Sequence, residues 1–154
     1  MNVYWNKTKE MRIGMNTNLS TNVLCVNDNL VERVYSFKLL GIVIEYNLKR
    51  SAHVGLICAK ASSRLYFLKI LKRSLLATDD LLYLYMSAVC PLLEYACPVW
   101  HTSLTKEQSG QTEFIHKLAF RIIFNNNCMD YENFCRIHQL QTLADRHSEL
   151  CRSL

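Results

Sequence analysis

The chain has 154 residues, of which half are apolar and one fifth are charged, and it contains only four glycines and two prolines. This composition excludes a disordered or low-complexity protein and is enough for the core of one modest domain, or for a large piece of one. The formal net charge is +5, which permits a polyanionic partner without proving one.

The first third of the chain is predicted to form β-structure. Polar and apolar residues alternate over Lys9–Met15, which is typical of a half-buried strand. Two short apolar runs, Val23–Val26 and Leu30–Val34, flank the turn-forming sequence Asn-Asp-Asn, so we expect a hairpin there. The apolar stretch Phe37–Ile44 is predicted to be one further strand, in which Gly41 marks a bulge or a close backbone approach.

The hydrophobic period becomes helical after residue 50. A helix is predicted over Ser51–Arg73, since its apolar residues recur on one arc: Val54, Ile57, Cys58, Ala61, Leu65 and Leu68. A second helix is predicted to begin at Thr78, whose hydroxyl would cap it, with Asp79 and Asp80 in its first turn. This helix should break near Pro91.

Two further helices are predicted from their capping residues. The sequence Thr105–Gln108 forms a capping box for a long helix, which the asparagines at 125–127 should end. Thr142 should begin a last helix that ends near Leu150. The order of strands followed by helices indicates an α+β fold, with a β-structured segment over residues 1–47 and a helical domain over residues 48–154.

The run Leu81–Trp100 has the length of a membrane span and holds Glu94 as its single charge. Two prolines and a carboxylate in mid-span are unfavourable in a bilayer. We therefore predict a pair of buried helices and no membrane partner. The seven cysteines have no paired spacing, and no signal peptide is apparent, so we expect reduced thiols in an intracellular protein, nuclear or cytoplasmic.

Positive charge is concentrated in one part of the chain. The window Tyr46–Thr78 holds seven basic residues and no acidic one, so it carries +7 while the remainder carries −2. This pattern favours nucleic acid over a membrane as partner, and the alternative is an ordinary solvated helix face. The candidate backbone contacts are Lys60, Arg64, Lys69, Lys72 and Arg73. Aromatic residues nearby could stack on bases, but their helical spacing is more typical of core: Tyr66, Phe67, Tyr83 and Tyr85.

The sequence offers weak signals for catalysis or metal binding. Cys135-x2-His138 and His147-x3-Cys151 together provide four candidate zinc ligands. Their spacing matches no zinc module that we recognise, so we expect two short helices with unrelated residues and no metal site. Phosphate-binding glycine loops and nucleophile motifs are absent from the sequence.

Several blocks of the chain resemble the reverse transcriptases of non-LTR (LINE-type) retrotransposons. Residues Pro91–Trp100 resemble the family's Pro-x-Leu-Glu-Tyr-(Ala/Gly)-x-x-x-Trp segment in the thumb region. Val34–Ile42 resembles its strand at the palm–thumb boundary, with Leu39 in place of the usual tyrosine. Four further blocks also resemble the family, and all the blocks lie along the chain in the family's order: Asn6–Met11, Ala59–Leu68, Leu118–Ile123 and Leu143–Leu150.

This resemblance implies residual palm strands followed by a helical thumb that closes on a template–primer duplex. It places the chain after the catalytic aspartates, so we expect a fragment that is not an enzyme, with no cofactor and no small-molecule substrate. Asp79 and Asp80 look like the family's metal-binding pair, but the helical run behind them predicts a helix start instead. Lys7 aligns with a palm lysine that would have no role without metals.

A second resemblance covers only the strand Lys7–Met11. It is similar to a short segment named after the N-terminal domain of AlkB-homologue tRNA-modifying proteins. Those proteins join a 2-oxoglutarate/iron dioxygenase to a methyltransferase. None of those active-site residues is present in the sequence. The alternative to a nucleic-acid-binding fragment is a structural or interaction module, or a nonfunctional remnant.

Overall fold

The structure is a computed structural model that describes residues 4, 7–14, 24–26, 29–125, 133, 135–136 and 140–153. It combines short strands in small sheets with several helices, which confirms the mixed α and β class. The chain divides into two compact units, Met1–His53 and Val54–Leu154.

Among the described residues, the first unit contains three two-stranded sheets. They pair β1 with β4 in parallel, and β2 with β3 and β5 with β6 antiparallel: β1 Lys9–Glu10, β2 Cys25–Val26, β3 Asn29–Leu30, β4 Glu32–Arg33, β5 Ser36–Leu39 and β6 Ile42–Glu45. The predicted hairpin is confirmed, since Cys25 lies opposite Leu30. Met15 lies outside the described residues, and the rest of the strand predicted over Lys9–Met15 is regular only at β1, with Ile13 exposed.

The Phe37–Ile44 stretch is a hairpin, so the prediction of one continuous strand is wrong. Phe37 pairs with Ile44, and the chain reverses at Leu40 and Gly41. Both turn residues have positive φ, 46° at Leu40 and 86° at Gly41, which is the backbone of a tight two-residue hairpin loop. Leucine is uncommon in this conformation, so the sequence pattern of an unbroken apolar run concealed the turn.

Substitutions in this turn should have opposite effects. Leu40→Asn should raise the free energy of unfolding by up to about 1 kcal/mol, because asparagine tolerates the left-handed conformation better than leucine. Gly41→Ala should lower it by about 1 kcal/mol, since a Cβ is strained at this φ. Urea denaturation measures both. Leu39→Asn, within β5, is the control from which no gain is expected.

The second unit is helical, and its first helix, α1, begins at Ser51 in the last residues of the first unit and ends at Arg73, as predicted. The predicted arc is buried at Val54, Ile57, Ala61, Leu65 and Leu68, and Cys58 is half-buried. The next helix, α2, spans Thr78–Leu84 with Asp79 and Asp80 in its first turn. Its N-cap is Ala77 and no side chain caps it, so the predicted cap by Thr78 is wrong.

The helical path that begins at Thr78 does not end at Pro91. A π-helical turn over Tyr85–Val89 continues α2 into α3, Cys90–Glu94, where Pro91 lies in the first turn. Proline suits that position because the first helical N–H groups have no partner within the helix. The helix ends at Glu94, and Ala96, in the left-handed conformation with a φ of 49°, precedes α4, Cys97–Trp100. The prolines therefore begin helices, and the predicted break lies a few residues later than expected.

A 3₁₀ turn over His101–Ser103 leads to α5, Lys106–Phe124, and the chain continues to α6, Leu143–Arg152. The capping box of α5 is confirmed, since Thr105 Oγ1 accepts from the Gln108 amide at 3.2 Å and Gln108 Oε1 accepts from the Thr105 amide at 3.0 Å. Asn125, with a φ of 53°, ends this helix. Thr142 caps α6 as predicted.

The core of this unit joins α1, α2, the π-helical turn, α3, α5 and α6. Its largest fully buried members include Tyr85, Leu81, Leu93 and Ile123. Glu94 in α3 pairs with Arg146 in α6, and both side chains are mostly buried. The lone charge of the apolar run is thus neutralised inside the fold.

Within the described residues, one segment, Thr78–Ser103, is long enough and apolar enough to cross a membrane, judged by length and composition alone. Only 28% of its most apolar window is buried, so burial alone does not distinguish it from a membrane span. The π-helical turn, the helix break at Ala96 and the paired Glu94 favour helices of a folded core. The expectation that the chain has no membrane partner stays a prediction.

Candidate functional site

The solvent face of α1 carries aromatic side chains. Tyr66 and Phe67 are each 63% exposed, with ring centroids 6.1 Å apart, and Ile70 lies on the same face at 41% exposure. Tyr83 in α2 is also exposed, whereas Tyr85 is fully buried. The expectation that these aromatics belong to the core is therefore wrong for Tyr66, Phe67 and Tyr83, because apolar periodicity alone does not show which face of a helix packs.

The basic residues of α1 lie at the two edges of this aromatic face. Lys60 and Arg64 are four residues apart and share one edge, while Lys69 and Arg73 share another. Nine residues, or about two and a half turns, separate Lys60 from Lys69, which places the two pairs on opposite sides of the helix. We name this surface the basic–aromatic face: Lys60, Arg64, Tyr66, Phe67, Lys69, Ile70 and Arg73.

Two of the five side chains predicted to contact a nucleic-acid backbone donate hydrogen bonds to carbonyl groups of the protein itself. The Lys72 ammonium donates to the Ile123 carbonyl at 2.7 Å and is half-buried, near the end of α5. The Arg64 guanidinium donates to the Ala88 carbonyl in the π-helical turn, although its side chain stays exposed. Lys60, Lys69 and Arg73 are exposed, and the described part of the chain offers them no ion pair or side-chain hydrogen bond.

The face lies on a helix whose own residues include no carboxylate. No family model, curated protein or solved structure matches this chain. The origin of the helices as a polymerase thumb therefore stays a prediction. Asp79 and Asp80, exposed in the first turn of α2, lie on a helix and not on the strand–turn–strand that holds two catalytic metals in the resembled family.

The spacing offered four candidate zinc ligands, for which no metal site was expected, and the structure describes three of them. Cys135 is buried in the main core, and His138 lies outside the described residues. His147 and Cys151, on α6, instead meet a second pair on α4 and the turn after it, Cys97 and His101. We name these four residues the thiol–imidazole cluster: Cys97, His101, His147 and Cys151.

The cluster is compact. One ligand atom each of Cys97, His101 and His147 lies within 4.8 Å of the other two, and the Sγ atoms of Cys97 and Cys151 are 4.0 Å apart. The His147 Nε2 donates to the Leu93 carbonyl at 2.9 Å, which leaves its Nδ1 as a lone-pair donor. The fully buried Trp100 packs its ring edge-on to the His147 ring, at 5.4 Å between centroids.

Burial favours the neutral forms of Cys97, His101 and His147. Desolvation lowers the pKa of His147 to about 4, with the neighbouring His101 as a second cause, and it also lowers the pKa of His101. Desolvation raises the pKa of Cys97 to about 12, and the adjacent Cys151 adds to this effect. The missed signal was the spacing of Cys97-x3-His101, which mirrors that of His147-x3-Cys151 in reverse order.

Proposed function

We propose that this chain is a fragment related to LINE-type reverse transcriptases that binds nucleic acid through the phosphate backbone, without sequence preference and without catalysis. The observation that carries the proposal is the basic–aromatic face, where two exposed rings lie between two edges of positive charge. Aromatic side chains stack on unpaired bases, and flanking cations neutralise phosphates. The palm and thumb assignments of residues 1–47 and 48–154 belong to the same proposal.

The individual contacts differ in their expected roles. Lys60, Lys69 and Arg73 are exposed, so they would bind phosphate directly. Lys72 donates a hydrogen bond to the Ile123 carbonyl and Arg64 donates one to the Ala88 carbonyl, so replacing either residue would also disturb the fold. Tyr66 and Phe67 would stack on bases at a single-stranded end or junction.

A protein partner is the second candidate, because the exposed Tyr66, Phe67 and Ile70 would also suit an apolar interface. The two proposals differ in their dependence on salt. Phosphate contacts release counterions and weaken as salt rises, whereas apolar association does not weaken in this way.

Fluorescence anisotropy with a labelled RNA–DNA hybrid that has a single-stranded overhang tests the proposal. The triple variant Lys60→Ala, Lys69→Ala, Arg73→Ala should reduce the slope of log affinity against log salt by about 3, which corresponds to three lost phosphate contacts. Tyr66→Ala with Phe67→Ala should weaken binding with little change in slope. The same protein should incorporate no dNTP into the primer strand.

The control variant removes the same charge from other exposed positions: Lys38→Ala, Lys106→Ala, Arg121→Ala. Its binding should stay close to that of the unmodified chain. An equal loss in both triple variants would show that net charge, and not the basic–aromatic face, governs binding. Undetectable binding at low salt would refute nucleic-acid binding altogether.

A further inference from the structure

The thiol–imidazole cluster brings together two residue pairs that are distant in sequence. His147 and Cys151 are four residues apart on α6 and project toward one side of it, while Cys97 lies on α4 and His101 in the 3₁₀ turn that follows. The segment of α4 packs against α6, which sets the two pairs against each other. Two thiols and two imidazoles are the donor set of Cys₂His₂ zinc sites.

Three of the four ligands already lie close together, and Cys151, whose Sγ lies near that of Cys97 but outside this group of three, would have to turn its side chain toward the ion. At a Zn–S bond length of about 2.3 Å, two thiolates on one zinc ion lie about 3.8 Å apart. The Cys97 and Cys151 Sγ atoms are 4.0 Å apart. The ligand atoms of Cys97, His101 and His147 already lie within 4.8 Å of one another, so no backbone rearrangement is needed for these three.

The two imidazoles differ in the hydrogen bonding that suits each of them to bind a metal. The His101 Nδ1 atom is buried, and no described residue offers it a hydrogen bond, which is rare for a polar atom in a protein interior. His147 donates its Nε2–H to the Leu93 carbonyl. A backbone carbonyl on the far nitrogen is the usual way to fix the tautomer and ring orientation of a metal-bound histidine.

We propose that Cys97, His101, His147 and Cys151 bind one zinc ion that joins the α4 segment to α6. Four protein ligands leave no open position, so the ion would be structural and not catalytic. Binding would displace one proton from each thiol, giving two thiolates and two neutral imidazoles around the ion. Apolar neighbours shield the site from solvent: Ile57, Trp100 and Leu104. This proposal is independent of nucleic-acid binding.

The test uses the full chain, reduced and freed of metal by a chelator, to which zinc is returned. We expect one zinc per chain by elemental analysis and a higher melting temperature with zinc than without. Cobalt in place of zinc should give the strong visible absorption of tetrahedral thiolate coordination. Cys97→Ser should lower zinc affinity by at least about 100-fold, and so should His101→Gln, which changes a less buried residue in case the first variant does not fold.

Cys135→Ala is the matched control, because it removes a buried thiol from the main core and not from the cluster. Its stability should fall while its response to zinc persists. The proposal is overturned if zinc raises the melting temperature equally in Cys97→Ser, or if cobalt binds without thiolate absorption. It also fails if oxidised glutathione, added in the presence of zinc and reduced to two glutathione thiols, readily converts Cys97 and Cys151 into a disulfide, detected as the loss of two hydrogens from the chain by mass spectrometry.

Discussion

Glu94→Ala should lower the free energy of unfolding by about 3 kcal/mol, since it leaves a mostly buried guanidinium without its carboxylate. The Glu94 side chain is 16% exposed and that of Arg146 is 27% exposed, so water replaces the lost partner poorly. The hydrogen bond to Glu94 is also the main cause that raises the pKa of Arg146. Urea denaturation of the purified chain at neutral pH measures the change.

A double-mutant cycle with Arg146→Ala separates the ion pair from other effects. The two single changes should each be costly, and the double variant should be less destabilised than their sum, because removing both partners leaves no uncompensated charge. Glu107→Ala, at an exposed carboxylate in the first turn of α5, should change stability by less than about 1 kcal/mol. Additive effects in the cycle would show that Glu94 and Arg146 do not stabilise each other.

Local signals in the sequence predicted the helices well. The capping box at Thr105 and the cap at Thr142 each depend on a few neighbouring residues, and the structure forms both. The bounds of α1 followed from a hydrophobic period that continues from Ser51 to Arg73. Such features form from nearby atoms, so a sequence contains most of the information that determines them.

Predictions failed where the outcome depends on distant residues or on an unusual backbone. The Leu40–Gly41 turn has leucine at its first position, where Asn, Asp or Gly normally identifies a tight hairpin, so an apolar run looked like one strand. The path through Pro91 requires a π-helical turn, which the spacing of apolar residues and prolines does not indicate. The partners of His147 and Cys151 lie about fifty residues earlier in the chain, and only the packing of α6 reveals them.

The same limit applies to the basic–aromatic face. The sequence identified the positive charge of α1, but it could not show that Tyr66 and Phe67 remain in solvent while Tyr85 enters the core. It also could not show that Lys72 is held by a carbonyl of α5. A charge count therefore predicts a class of partner, whereas the set of side chains available to that partner depends on tertiary packing.

Acid should destabilise the helical unit well above the pH at which carboxylates titrate, because His116 is buried in its neutral form. The Tyr85 hydroxyl bonds to His116 Nδ1, and His116 Nε2 donates to the Gln141 carbonyl at 3.3 Å. Burial lowers the pKa of His116 from 6.5 to about 4. Between these values the unfolded chain takes up a proton that the folded chain does not, so the free energy of unfolding should fall by up to about 3 kcal/mol as the pH decreases from 6.5 to 4.

Urea denaturation at pH 7.5 and at pH 4.5 tests this, with His116→Gln as the comparison. Glutamine offers a donor and an acceptor but does not titrate, so this variant should be less stable at pH 7.5 and should lose less stability at pH 4.5. His147, whose pKa is also lowered by burial, is present in both proteins, and its contribution cancels in the difference. Equal losses of stability would assign the acid sensitivity to His147 or to the carboxylates. A smaller loss in His116→Gln would make the Tyr85–His116–Gln141 contact the element that ties the stability of the helical core to pH.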